Sequence, residues 1–269
     1  SSAASDVYKR QLERPFRNNW QDVKMKNTLR MIVGAFAALA ICAASTLCAQ
    51  TPEEYFMLGN SAYKAADYPK AAENYGLAEK NGLKTAELYF NRANANVKKG
   101  SPALALADYL KAISISPRMR EASANLKILS KEASLQIPDM SSAFFELSKG
   151  EWIAAAVVAF WACALVIVIP PLYGKGGKLS WFLALVLFIA FGVSAYGIKT
   201  WLDFESLGVV VKQDAPMRIS PSPNSPVELH ATEGQILKLM RKGENFSLAS
   251  APNGKQGWVK NSDIAFISD

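Results

Sequence analysis

The chain has a single histidine, His230, and only three cysteines among its 269 residues. That scarcity removes most metal and nucleophile chemistry at once. Structural and catalytic metal sites draw on clustered Cys and His, and His230 has no Cys or His neighbour in the sequence. Cys42, Cys48 and Cys163 all fall inside apolar blocks, so no disulfide framework is expected. Without a nucleophile–base pair or a metal cluster, no catalytic residue, metal or cofactor is expected, and the chain reads as a non-enzyme. Surplus charge is also thin. The formal net charge is +7, and residues 1–49 supply more than half of it, with seven Lys/Arg against three Asp/Glu. The scattered remainder excludes a nucleic-acid surface.

Apolar residues are plentiful, and they gather in three blocks at 31–49, 152–173 and 179–198. The first follows Met25 in the manner of a secretion signal. Lys26 and Arg30 form a positive n-region, Met31 to Leu47 an apolar core, and small residues near Ala49 suit a peptidase. Residues 25–49 are therefore expected to be a signal peptide, with Gln50 the first mature residue. Leu47 stands before Cys48, where a lipoprotein signal needs a small residue, so cleavage is expected over lipidation. The competing reading is an uncleaved anchor, for which about 17 apolar residues barely suffice. Residues 1–24 are a polar preface foreign to such signals. The run SSAASDVYKRQ resembles translated adapter read-through, and these residues are set aside as spurious or disordered.

Between 52 and 119 the chain repeats itself every 34 residues. Tyr55 falls on Tyr89, Asn60 on Asn94, Ala71 on Ala105, Tyr75 on Tyr109 and Ala78 on Ala112, while Gly59 meets the small Ala93. Each unit reads as a helical hairpin in which Tyr75 fills space left by Gly59 and Ala71. Turns are expected at Ala66-Asp67 and Gly100-Ser101. The run LGNSAYKAADYPKAAENYGLA at 58–78 resembles the tetratricopeptide repeat; the second unit departs from that pattern at Arg92 and at Asn96. A lone helix over 120–134, apolar at Ala122, Leu126 and Leu129, is expected to cap the stack, so that repeats and cap occupy 50–135. By that resemblance a peptide would bind the concave face, through Phe56, Asn60, Tyr63, Lys64, Phe90, Asn94 and Lys98. The two asparagines either grip a peptide backbone or are merely solvated helix residues. Asp67, Glu73 and Asp108 are expected on solvated helix surfaces.

The second and third blocks are 22 and 20 residues long without a charged side chain. About 20 residues cross the hydrocarbon layer, so 152–198 is expected to be a two-helix transmembrane hairpin. Trp152, Tyr173, Trp181, Tyr196 and Trp201 are placed as interfacial aromatics. Small residues Ala155, Ala159 and Cys163, with Ala190 and Ser194, are expected to let the spans pack closely. Residues 136–151 read as an interfacial linker. The connector GKGGK at 174–178 lacks the Lys-Ser/Thr pair of a phosphate loop. Its lysines favour the cytoplasm, which puts the repeats and the C-terminus in the periplasm of a bacterial inner membrane.

From Gly208 the pattern turns to short β segments, expected at 209–211, 226–230, 235–239, 246–249, 257–259 and 264–267. MRISPSP at 217–223 and NGKQGWV at 253–259 resemble the early turn and late hairpin of bacterial SH3-like domains, with Trp258 in the core. Residues 199–269 are thus expected to form that domain. The fold class is multidomain: all-α tetratricopeptide-like hairpins, two transmembrane helices and a small all-β SH3-like barrel. The order of these parts over 25–269 resembles the BatE-like family of Bacteroides aerotolerance operons. The resemblance implies a non-enzymatic envelope scaffold whose partners are membrane proteins with von Willebrand A domains and a MoxR-type ATPase. The alternative is a peptidoglycan-binding envelope protein acting through the SH3-like domain.

Overall fold

The computed structural model describes residues 25–28, 30–34, 50–140, 143–173 and 177–268. The chain divides into two compact units, Ser1–Thr51 and Pro52–Asp269. Of the first, residues 25–28 and 30–34 are helical and exposed. The expected preface, residues 29 and 35–49 of the expected signal peptide, and residues 174–176 of the GKGGK connector lie outside the described residues.

The second unit opens with five helices, α1 (Pro52–Lys64), α2 (Tyr68–Lys80), α3 (Ala86–Lys99), α4 (Pro102–Ile115) and α5 (Arg120–Glu132), each packed on the next. Local chemistry sets their ends. The Asp67 carboxylate accepts the Lys70 N–H at 3.2 Å at the start of α2, and the Thr85 hydroxyl accepts the Leu88 N–H at 3.2 Å at the start of α3. Gly100 closes α3 in the left-handed region at φ 80°, and its repeat counterpart Ala66 adopts φ 60°. Both turns fall where the sequence puts them. Ala71, Tyr75 and Ala78 are buried, as are Ala105, Tyr109 and Ala112. A Cβ on Gly59 would lie 2.6 Å from the Tyr75 ring, so the glycine is what admits the tyrosine. On α5, Ala122, Leu126 and Leu129 are the buried face.

Helix α4 is apolar on nearly every side, from Ala103 and Leu106 to Leu110 and Ile113. A helix of that kind must be covered all round, and the cover comes from α3, α5 and strands of the C-terminal sheet. One continuous core therefore runs from Leu88, Leu106 and Leu126 to Trp201, Phe204, Val209 and Ile267.

Two long helices follow, α6 (Lys149–Leu172) and α7 (Lys178–Glu205), both long and apolar enough to cross a membrane. Ser148 and Glu151 form a capping box that starts α6, and Pro170 and Pro171 occupy its last turn. Most large apolar side chains on both helices face outward; Trp161, Phe182 and Phe188 are each more than 60% exposed. The seam between the helices uses small residues, and Ala159, Cys163 and Ser194 of the expected set take part in it, the Cys163 thiol donating to the Ala184 carbonyl at 3.5 Å. Ala156, Ala159, Ala184, Ser194 and Gly197 are buried there, while Ala155 and Ala190 face out. Register explains the shift: Gly197 is the position where α7 meets the Trp152 indole, so the seam is set by that ring.

Residues 143–147, just before α6, pack against both long helices. A short 3-10 turn, Ala143–Phe145, puts Phe144 against Trp152 and Tyr196, and Phe145 against Trp201 and Phe204, with ring centroids 5.0–5.5 Å apart. The Trp152 and Trp201 indoles donate to the carbonyls of Phe144 at 3.0 Å and Leu147 at 2.8 Å. Trp201 is fully buried, in core and not at an interface, because these aromatics close over it.

Helix α7 passes through Ser206 directly into β1 (Leu207–Val210). The other strands are β2 (Ala215–Arg218), β3 (Val227–Ala231), β4 (Ile236–Arg241), β5 (Phe246–Ser250), β6 (Gln256–Lys260) and β7 (Ile264–Phe266), in an antiparallel sheet ordered β3-β2-β6-β5-β4-β1-β7. Strand β2 was not expected from the sequence. Trp258 departs from expectation as well: it is half-buried on the outer face, because its neighbours Gly257 and Val259 take the inner one. Gly257 is obligatory there, since a Cβ would meet Met217 Cβ at 2.8 Å.

Candidate functional site

The first helices of the repeats, α1 and α3, carry the asparagines that the sequence singles out. The Tyr75 hydroxyl donates to Asn60 Oδ1 at 2.7 Å, and the Asn91 amide donates to the same oxygen at 3.1 Å. One repeat on, the Tyr109 hydroxyl donates to Asn94 Oδ1 at 2.6 Å, and the Asn125 amide donates to it at 3.1 Å. Burial pushes both tyrosine hydroxyls up to about 12, so they remain donors at any ordinary pH. Each asparagine oxygen is thus consumed inside the stack. The amide nitrogens of Asn60 and Asn94 have no hydrogen-bond acceptor among the described residues.

Asn60, Tyr63, Lys64, Asn91 and Asn94 line a cleft of about 170 Å³. Tyr63 and Asn94 also belong to the adjoining cleft of about 320 Å³, which continues along Lys98, Asn125 and Ile128. The two form a groove along the repeats. Five of the expected residues are brought together in it: Asn60, Tyr63, Lys64, Asn94 and Lys98. Phe56 and Phe90 are not; they sit behind it, with rings 5.7 Å from Tyr75 and 6.1 Å from Tyr109. Asn91 and Asn125 join the groove unexpectedly, although they stand one repeat apart as Asn60 and Asn94 do.

A second polar feature joins the two repeats. Arg92 Nε and Nη2 donate to the two Asp108 oxygens at 2.9 and 2.6 Å, and Arg92 also pairs with Glu79. Lys111 donates to Glu79 at 2.9 Å, and the Asn96 amide to Asp108 at 3.0 Å. Asp108 is therefore buried and fully engaged, against the expectation of a solvated surface carboxylate; Asp67 and Glu73 are exposed as expected. Burial alone would raise Glu79, but the Arg92 and Lys111 charges overcome it and hold the carboxyl at about 2. Burial lifts Asp108 above the usual carboxylate range, opposed by Arg92. Its two-pronged contact with a guanidinium is nonetheless the geometry of a carboxylate. The departures from the repeat pattern at Arg92 and Asn96 belong to this joint.

No protein-family model and no curated protein matches the chain.

Proposed function

We propose that the chain is a non-enzymatic scaffold, held in the bacterial inner membrane by α6 and α7, that grips a partner polypeptide in the groove along its repeats. The observation that carries this reading is the twice-repeated asparagine arrangement. With each Oδ1 committed to a tyrosine and a second asparagine, Asn60 and Asn94 offer the groove only N–H donors, and exposed Lys64 and Lys98 add ammonium groups. Glu132 is the one acid lining the groove among the described residues, so the donors predominate and favour an acceptor-rich ligand, namely the carbonyls of an extended chain and its carboxylates.

By family resemblance the partners are membrane proteins with von Willebrand A domains, acting with a MoxR-type ATPase in aerotolerance and envelope stress. The seven-stranded sheet is read as the SH3-like barrel, and both soluble parts as periplasmic. The test is photocrosslinking from position 63 in native membranes, followed by mass spectrometry. Recovery of von Willebrand A proteins, lost in Lys64→Glu/Lys98→Glu, is the expected result. An unchanged set of crosslinked proteins in the charge-reversed variant would overturn the groove as the binding site.

A second reading, peptidoglycan binding through the sheet, is favoured by the outward Trp258, paired across strands with Arg218 and Leu248. Co-sedimentation of the solubilised full chain with purified peptidoglycan, lost in Trp258→Ala, would support it.

A further inference from the structure

Where α6 begins, a cleft of about 850 Å³ opens between α5 and residues 137–140 and 145–146. Its two walls carry opposite charge. Arg118, Arg120 and Lys127 come from the α4–α5 turn and from α5, while Asp139 and Glu146 come from the facing segment. Arg120 and Lys127 have no ion pair among the described residues. The cleft is also lined by Ile113, Ile137, Met140 and Phe145, an apolar set unusual for a purely ionic site.

Its height along the hairpin is marked by one contact. Arg118 pairs with Glu151 at 3.0 Å, and Glu151 immediately precedes the charge-free run that starts at Trp152. On the membrane reading proposed above, on which this inference rests, the cleft stands at the headgroup layer. A ligand for such a place has a phosphate for the cationic wall, an amine for the acidic wall and an apolar portion for the remaining surface. We infer that the cleft is a binding site for a phospholipid bearing a primary amine, with the phosphate against Arg120 and Lys127 and the ammonium against Glu146. Paired charges of both signs disfavour a purely anionic headgroup, because Asp139 and Glu146 would repel it. A quaternary amine fits less well, since it has no N–H to donate to a carboxylate.

The full chain in nanodiscs tests this by native mass spectrometry of the retained lipids. In discs mixing phosphatidylethanolamine, phosphatidylcholine and phosphatidylglycerol, the ethanolamine lipid should be enriched. Arg120→Gln/Lys127→Gln should cut its retention about tenfold, the scale of one or two charge-assisted hydrogen bonds. Glu146→Gln should abolish the preference for ethanolamine over choline while leaving total phospholipid retained. Lys131→Gln, on α5 but outside the cleft, should change nothing. Equal retention of all three lipids, or a preference for phosphatidylglycerol, would overturn the inference. So would displacement of the lipid by inorganic phosphate at equal concentration, which would mark a free-anion site. Vesicle flotation separates the two levels: a chain that floats without headgroup selectivity defeats only this site, whereas a chain that does not float defeats the membrane reading too.

Discussion

Removing Arg92 tests the joint between the repeats. Its side chain is 13% exposed and that of Asp108 is 6% exposed, so water cannot take over the guanidinium's role. In Arg92→Leu, which places there the residue of the first repeat, Leu58, Asp108 keeps only the Asn96 amide as a donor. A buried carboxylate left in that state costs about 3–5 kcal/mol. In Arg92→Leu/Asp108→Leu the orphaned charge is gone, Glu79 retains Lys111, and the main penalty is an Asn96 amide without its acceptor, about 1–3 kcal/mol. The double variant should therefore be more stable than the Arg92→Leu single variant, although it has lost both charges. Amide hydrogen exchange of the solubilised full chain, read over residues 86–115, reports the local opening energy without requiring global two-state unfolding. With Asp108→Leu as the fourth corner, the cycle should give a coupling of about 3 kcal/mol. A coupling below about 0.5 kcal/mol, the range of exposed ion pairs, would refute the reasoning.

Two further outcomes follow from the same helices. Ala66 sits at φ 60°, where an L side chain is strained by about 1 kcal/mol, so Ala66→Gly should raise thermal stability while Gly100→Ala lowers it. Glu79, held at about 2 against an ordinary 4.5, binds its proton later in the folded than in the unfolded chain. Its contribution is complete above pH 4.5 and is lost as pH falls towards 2; it amounts to roughly 1–3 kcal/mol after allowance for solvent at a side chain 22% exposed. Buried Asp108 titrates in the opposite sense, so the comparison is acid unfolding against Glu79→Gln, which should lose the slope over that window.

The repeat stack was the most legible part of the sequence because its constraints are local and stated twice. Tyr75 and Tyr109, Ala71 and Ala105, and the turns at Ala66 and Gly100 each appear at one spacing in both units. The ionic joint occurs once, and comparison by repeat hides it: Arg92, Asn96 and Asp108 align with Leu58, Ala62 and Asn74. Strand β2 was obscured by Pro216, which argues against a central strand. The structure accommodates it because the ladder to β6 is made only at Arg218, beyond the proline. Trp258 reads as core by resemblance to the late hairpin, whereas alternation with Val259 places it outside. Trp201 could not be placed from sequence, since an indole beside an apolar run reads as interfacial until distant Phe145 covers it. Half of the groove was visible through Asn60 and Asn94. That their oxygens are spoken for, leaving only donors, depends on side-chain geometry.

Helix α7 ends at Glu205 and β1 begins at Leu207. Lys149 bonds both Glu205 oxygens at 2.6 Å across the foot of the hairpin, and Lys238 holds Asp203 at 2.8 Å. The apolar helices and the folded body are thus joined without a linker, through a core that contains Trp201, Phe204 and Val209. On the proposed topology, a bilayer that thins or thickens tilts the hairpin, and the groove swings with it, much as the pointer of a gauge follows its spindle. A partner anchored in the same membrane would then meet the groove at a height and angle set by the lipid around it.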